Sequence, residues 1–126
     1  MVTSLYAALS GFFLIFLSAR VINQRRTARV SVGHADSPDL ERAMRVQGNF
    51  VEYAPITLIL LMLAEMQGLP TLAVHVFGLA FLASRVSHFA GFKSQEAPGR
   101  YRMFGMVGTF LIIGALGVVL IVQQFL

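Results

Sequence analysis

Residues 45–55 read Arg45-Val-Gln-Gly-Asn-Phe-Val-Glu-Tyr-Ala-Pro55, and this stretch decides the fold because it joins charged side chains to a long apolar run. The uncharged run from Tyr53 to Ala64 has 12 residues. That is too short for the bilayer core, which a helix crosses in about 20 residues. A spanning helix must therefore start upstream, near Leu40 or Glu41. It then carries the polar side chains of residues 45–52 to or below the membrane surface.

Three other stretches are apolar enough to cross a bilayer. Val2–Ala19 and Met103–Val122 contain no charged residue, and Leu69–Ser84 reaches spanning length if its helix continues past Arg85. The first stretch is expected to be a retained helix rather than a secretory signal, since no basic residue precedes it. The sequence predicts an all-α membrane protein, a four-transmembrane-helix antiparallel bundle. One domain is expected over residues 1–126, with spans at roughly 2–22, 40–66, 69–91 and 101–125.

Composition supports a membrane protein and excludes several classes of site. Hydrophobic residues make up 56% of the chain and charged residues 13%, and the mean hydropathy is +0.72. An ordinary soluble domain is about a quarter charged. The chain has no cysteine, so it has no disulfide, no zinc-thiolate site and no cysteine nucleophile of its own. No metal site is expected.

The positive charges lie in two of the three connecting regions. All ten Lys and Arg residues fall in the regions between the first and second spans and between the third and fourth, whereas the segment Glu65–Pro70 has none. By the positive-inside rule, the first and third loops face the cytoplasm and both termini face the periplasm. Basic loops beside membrane spans account for the pI near 10.4 without nucleic acid as a partner.

The polar residues of the second helix form one stripe. At 100° per residue, Glu41, Arg45, Asn49 and Glu52 fall within about 100° of one another, while Gln47 points across the helix. Ionised groups cost roughly 2.5–3.5 kcal/mol each at mid-membrane and less near the interface, where Arg45 and Glu52 are expected, and this stripe must still face other helices or water. An oligomer with this helix at its centre is the economical arrangement. Two roles stay open: ligand contact, or an Arg45–Glu52 pair that only locks helices together.

The third helix has a second polar face. Arg85, His88 and Phe92 fall within about 60° of one another. His88 is either a ligand contact or a histidine solvated at the helix end. His75 stands alone among apolar residues and is expected to be structural.

The stretch 45–55 resembles the R-x-Q-x-N-x-x-E-Y-x-P signature of the MAPEG superfamily, the membrane-associated proteins in eicosanoid and glutathione metabolism. Upstream, Arg25–Ser31 and Pro38–Arg42 are similar to leukotriene-synthesising members. Downstream, Arg85-Val-Ser-His88 and Ala97-Pro98-Gly-Arg100 are similar to prostaglandin-synthesising members. The short loops look more like the bacterial branch.

The resemblance implies a homotrimer in a bacterial inner membrane, with glutathione as cofactor between neighbouring subunits at the face of the first and third loops. Arg100, or as second candidate Arg102, would stabilise the glutathione thiolate. A lipophilic substrate would reach it from the lipid bilayer along Phe104, Met106 and Phe110. The cofactor-binding residues that the resemblance implies are Arg26, Arg45, Gln47, Asn49, Glu52, Tyr53, Arg85 and His88.

The function that the resemblance implies is a glutathione S-transferase, with or without peroxidase activity, that acts on lipophilic electrophiles. The alternative is a non-catalytic trimer of the same fold that binds glutathione or another ligand weakly or not at all. Phe92 favours this alternative, because the family often has a tyrosine there and phenylalanine donates no hydrogen bond. A small multidrug exporter is disfavoured, since such exporters depend on a glutamate that the first span lacks.

Overall fold

The protein is described by a computed structural model over all residues, 1–126, and consists of four α-helices. They are α1 (Thr3–Ala28), α2 (Pro38–Met66), α3 (Thr71–Ala90) and α4 (Gly99–Gln123). Each is long and apolar enough to cross a membrane, which confirms the predicted all-helical membrane class. α1 continues past the expected end at residue 22, so Arg25 and Arg26 lie on its last turn rather than in a loop.

The helix ends follow local sequence signals. Ser37 caps α2 by accepting a hydrogen bond from the Leu40 backbone N–H at 3.3 Å, and Pro38 occupies the first turn. Gly68 follows α2 with a φ of 95°, a left-handed conformation that glycine adopts without a steric penalty. Pro70 then precedes α3. The connection between α2 and α3 is therefore only four residues long, 67–70.

Contacts between helix ends show that the chain runs up, down, up and down. Glu65 at the end of α2 accepts hydrogen bonds from the backbone N–H groups of Val2 and Thr3 at the start of α1. Tyr6 pairs with His75, so the starts of α1 and α3 are neighbours. Connections 29–37 and 91–98 consequently share one end of the bundle, here called the basic end, and connection 67–70 lies at the other.

The core is small and the outer surface is apolar. Only 23 of 126 residues are buried, and large side chains such as Phe12 (70% exposed) and Leu72 (76% exposed) point outward. Such a surface suits lipid or neighbouring subunits rather than water. The main core cluster consists of Leu17, Val46, Phe50, Ala54, Leu61, Ala64, Val74, Phe81, Ile112 and Leu116.

Glycines bring α3 and α4 close together near the basic end. A Cβ on Gly105 would lie 2.6 Å from the His88 backbone nitrogen, and one on Gly108 would meet the Ser84 hydroxyl. Close helix approach through small residues is common in membranes. Gly114 and Gly117, further along α4, face open space within the subunit.

Candidate functional site

Two adjoining clefts open at the basic end of the bundle. The inner cleft, between α2 and α3, has a volume of about 280 Å³, and its lining residues are Arg45, Gly48, Asn49, Glu52, His88 and Phe92. The outer cleft also measures about 280 Å³, and its lining residues are Pro38, Glu41, Arg42, Arg45, Gly91, Phe92, Ser94, Gln95, Ala97 and Arg102. Arg45 and Phe92 line both, so the two clefts adjoin at these side chains.

One face of α2 forms a wall of the inner cleft, and the helical period determines which side chains lie on that face. Val46, Phe50 and Ala54 are buried against the other helices. The residues that the sequence placed on one polar stripe therefore turn to the opposite side, where Arg45, Asn49 and Glu52 meet His88 of α3. The structure thus brings together four of the predicted site residues in one cleft.

Arg45 is paired with Glu41 and not with Glu52. The Arg45 Nη2 atom lies 3.1 Å from Glu41 Oε1, one helical turn away. Glu52 makes no ion pair within the subunit, and it is exposed. The hypothesis that Arg45 and Glu52 pair with each other to lock helices is therefore wrong for the subunit.

Arg85 forms the buried support beneath the inner cleft. Its side chain is 1% exposed, and its guanidinium donates to Asn49 Oδ1 and, at 3.1 Å, to Thr109 Oγ1. A guanidinium has no acceptor atom, so the Asn49 carbonyl oxygen must face it. The Asn49 amide N–H groups are consequently left for the cleft. Arg85 itself does not line the cleft; it holds Asn49 in place.

His88 lines the inner cleft as a buried residue. It is 3% exposed, and its ring centroid lies 4.9 Å from that of Phe92. Its Nδ1 atom is buried without a hydrogen-bond partner. The alternative of a solvated histidine at the helix end is therefore wrong.

The two arginines at the start of α4 point to different places. Arg102 lines the outer cleft, and its guanidinium carbon lies 4.8 Å from the centroid of the Phe92 ring. Arg100 lies over the ring of Tyr101 at 5.4 Å and lines neither cleft, and both arginines are exposed. Within the subunit, Arg102, the second candidate, lines the outer cleft, whereas Arg100, the first candidate, lines neither cleft.

Three further predicted site residues lie outside both clefts within the subunit: Arg26, Gln47 and Tyr53. Arg26 lines a separate groove at the end of α1, together with Arg25 and Arg29. Gln47 donates to the hydroxyl of Ser18 at 2.9 Å, which ties α2 to α1.

Tyr53 packs its ring against Phe110, with centroids 5.4 Å apart. Phe110 and Phe104 are both exposed on α4, on the surface where a lipophilic substrate was expected.

Sequence reasoning missed the loop residues of the outer cleft. Ser94 and Gln95 lie in the connection before α4, where no periodic pattern predicts side-chain direction. Arg42 lies at the edge of the polar stripe, about 60° around α2 from Arg45, so helical periodicity could have found it. No group of three or more His, Asp or Glu side chains could hold a metal ion.

The charges on the cleft walls favour an anionic ligand. Arg42, Arg45 and Arg102 line the clefts, and only Glu41 and Glu52 oppose them. Arginine binds carboxylates with paired, charge-assisted hydrogen bonds. Glu52 has no cation partner of its own, so it is the group that can receive an amine. The clefts are therefore suited to a small molecule with carboxylates and an amine.

Known proteins resemble this chain over almost its whole length. A family model, the MAPEG family, matches residues 3–122. The inner membrane protein YecN of Escherichia coli K12 is 39% identical over 110 residues, which cover 87% of this chain and 82% of YecN. YecN of Escherichia coli O6:H1 shows the same identity and coverage.

Proposed function

This chain belongs to the MAPEG family of membrane proteins, and from that premise we propose that it binds glutathione in the inner and outer clefts and transfers it to lipophilic electrophiles. The observation that carries the proposal is the meeting of Arg45, Asn49, Glu52 and His88 in one cleft at the basic end. The similarity to YecN supports a place in a bacterial inner membrane.

The cleft chemistry matches the functional groups of glutathione. A carboxylate suits Arg45, the free amine suits Glu52, and a peptide carbonyl suits the Asn49 amide N–H groups. His88 supplies an imidazole from the opposite wall. Arg85 would act through Asn49, and Tyr53, Gln47 and Arg26 would reach the ligand only from a neighbouring subunit or after a rearrangement.

Glutathione itself supplies the nucleophile, because the protein has no thiol. The thiol loses its proton to solvent, and the thiolate forms a carbon–sulfur bond with an electrophilic carbon of a substrate dissolved in the bilayer. In a substitution the bond from that carbon to a leaving group such as chloride breaks, and the leaving group departs as the anion with the electron pair. A nearby guanidinium favours the thiolate over the thiol. The start of α4 offers two such groups, Arg100 and Arg102.

We also propose a homotrimer with the basic end in the cytoplasm, where glutathione is available. Glu52 supports the assembly, since it lies on an exposed face about 20 Å from the start of α2. An ionised carboxylate facing lipid costs roughly 2.5–3.5 kcal/mol at mid-membrane. Contact with another subunit would remove that cost.

Calorimetry on the detergent-solubilised protein tests the binding proposal. The wild type should bind glutathione saturably, and Arg45→Ala should weaken binding by about tenfold or more, as expected for the loss of a charge-assisted hydrogen bond. Arg29→Ala is the matched control, because it removes one positive charge from the basic end outside both clefts. No binding of the wild type at millimolar glutathione would overturn the proposal.

A non-catalytic binding protein is the second candidate function. Two observations favour it: Phe92 offers no hydroxyl to the ligand, and Arg100 lies outside both clefts. A conjugation assay with a nitro-activated aryl chloride separates the two functions. Turnover above the uncatalysed rate supports the transferase. Saturable glutathione binding without turnover on a panel of apolar electrophiles supports the non-catalytic protein.

A further inference from the structure

We propose that the groove between α1 and α2 is a second ligand site, which takes an aliphatic alcohol from the bilayer. The hydroxyl group of this ligand would bond to the Ser10 side chain of α1 and to the Val51 backbone carbonyl of α2, and its chain would lie along the groove. No residue of the groove lines the inner or the outer cleft, so the proposal does not depend on glutathione.

The groove is small, apolar and open on the outer surface of the subunit. Its volume is about 240 Å³, and six of its nine lining residues are hydrophobic. Leu14 and Leu58 belong to its walls, and Gly11, Val51 and Pro55 are exposed at its rim. Clefts for drug-sized ligands usually measure about 300–1,000 Å³. The groove is therefore suited to a single aliphatic chain rather than to a bulky ring system.

Ser10 brings an unused hydroxyl to this apolar groove. Ser10 lines the groove and is only 3% exposed, and its Oγ atom is buried without a hydrogen-bond partner. A hydroxyl inside a helix commonly bonds back to the carbonyl four residues earlier, as the hydroxyls of Thr27, Thr57 and Thr109 do in this chain. Ser10 makes no such bond, so its hydroxyl is free to bond to a ligand.

Pro55 creates the second polar group, because it leaves a backbone carbonyl without its helical donor. Pro55 lies inside α2, and proline has no N–H group to donate to the carbonyl of the residue four positions earlier, which is Val51 here. The nearby Thr57 hydroxyl donates to the Tyr53 carbonyl at 2.7 Å and not to that of Val51. Since Val51 and Pro55 both line the groove, this carbonyl lies on the groove side of α2.

These two groups define the chemistry of the ligand. Polar groups without partners are unfavourable in the hydrocarbon region, where no water bonds to them. An alcohol O–H can donate to the Val51 carbonyl while its oxygen accepts from the Ser10 hydroxyl. An alkane satisfies neither group, and a carboxylate or an ammonium group would bring a charge that no residue of the groove compensates. A neutral hydroxyl on an aliphatic chain therefore fits the groove best.

Photolabelling of the detergent-solubilised protein tests the proposal, with a decanol that carries a diazirine at the end of its chain as the probe. Mass spectrometry of the labelled peptides should place the adduct on residues of the α1–α2 groove, and the labelling should saturate. Unmodified decanol should compete for the site. Decane, the matched control without a hydroxyl, should compete about tenfold less well, because it makes neither hydrogen bond.

Variants of the two polar groups test the hydrogen bonds. Ser10→Ala should raise the probe concentration for half-maximal labelling by about threefold to tenfold, as expected for one hydrogen bond. Ser4→Ala, which changes a serine of α1 outside the groove, should leave it unchanged. Pro55→Ala should raise it about as much as Ser10→Ala does, because the new backbone N–H would bond to the Val51 carbonyl.

A variant that fills the groove tests the position of the site. A Cβ on Gly11 would meet no atom within 4 Å, so the side chain of Gly11→Leu has room to occupy the groove, and this variant should lose the labelling. Gly114→Leu is the matched control, because it adds the same side chain to open space on α4 outside the groove and should keep the labelling.

Three results would overturn the proposal. Equal competition by decane and decanol, or unchanged labelling of both Ser10→Ala and Pro55→Ala, would show that the groove does not recognise a hydroxyl. Absence of adducts from the groove would show that no alcohol binds there. If a neighbouring subunit fills the groove instead, Gly11→Leu will also alter the size-exclusion profile of the oligomer. Unfolding midpoints identify any variant that does not fold, and Ser10→Ala with Pro55→Ala keeps the test decisive if Gly11→Leu is such a variant.

Discussion

The guanidinium of Arg85 donates to the side-chain carbonyl of Asn49, and this hydrogen bond joins α3 to α2 directly beneath the inner cleft. Arg85 is fully buried and has no carboxylate partner, so its charge is balanced only by neutral oxygens of Asn49 and Thr109. Such a residue organises its neighbours, because every oxygen near it must turn towards it. The polar wall of the cleft thus depends on a residue that does not itself line the cleft.

Arg85→Ala should destabilise the subunit by about 3 kcal/mol, since it leaves Asn49 and Thr109 without their partner and opens a cavity. The midpoint of detergent or thermal unfolding measures this effect. Thr109→Val is the matched control, because it removes one of the two neutral partners of Arg85, together with the hydrogen bond from Thr109 to the Gly105 carbonyl, and should cost about 1 kcal/mol. Equal midpoints for Arg85→Ala and the wild type would show that Arg85 does not support the fold.

Gly105→Ala should destabilise the packing of α3 on α4 by roughly 1–3 kcal/mol, as overpacking typically does. The added Cβ would lie 2.6 Å from the His88 backbone nitrogen, which cannot move without the helix. Gly114→Ala faces open space on the same helix and should be neutral or stabilising by up to about 1 kcal/mol. The unfolding midpoints of the two variants, compared in one detergent, test this predicted difference in stability. Equal losses would contradict the described approach of α3 to α4.

Glu65→Ala should loosen the start of α1. The Glu65 carboxylate accepts from the backbone N–H groups of Val2 and Thr3, which replaces a side-chain cap that α1 lacks. The expected loss is about 1 kcal/mol, the usual value for a cap. Amide hydrogen exchange in residues 2–6 should become faster, while exchange in α4 stays unchanged. Unaltered exchange at the start of α1 would show that Glu65 is not its cap.

Gln47→Ala should lower stability more than it lowers ligand affinity. Gln47 donates to Ser18 at 2.9 Å and joins α2 to α1. Its loss should cost about 1 kcal/mol, and a double-mutant cycle with Ser18→Ala should show that the two changes are not additive. The affinity for glutathione should change less than twofold. A tenfold loss of affinity would instead support the ligand contact that the family resemblance implies.

The class of the fold could be predicted from the sequence because hydropathy and the residues that begin and end helices determine it. Uncharged runs gave the four helices, and Ser37-Pro38 marked where α2 begins. The polar wall of α2 was also predictable, since Arg45, Asn49 and Glu52 share one helical face whatever surrounds them. Resemblance to the family added the proposed role of that wall in glutathione binding.

The arginine at the cleft could not be chosen from the sequence. Arg100 and Arg102 have the same chemistry, and the selection depends on how the first turn of α4 docks on Gly91 and Ser87. This docking is a tertiary contact that no periodic pattern in the sequence predicts. The pairing of Arg45 was open for a similar reason, because Glu41 and Glu52 lie on the same face and only side-chain geometry distinguishes them.

The two ends of the bundle differ in charge, and this difference bears on how the chain inserts into the membrane. One end must be carried through the apolar interior of the bilayer during synthesis, and the four-residue connection 67–70 at that end contains no charge. Carrying the ten basic residues of the other side across would cost on the order of 25 kcal/mol at roughly 2.5 kcal/mol each. A completed subunit therefore cannot invert at any useful rate. We therefore expect each helical hairpin to acquire its direction when it inserts into the membrane and to keep it afterwards.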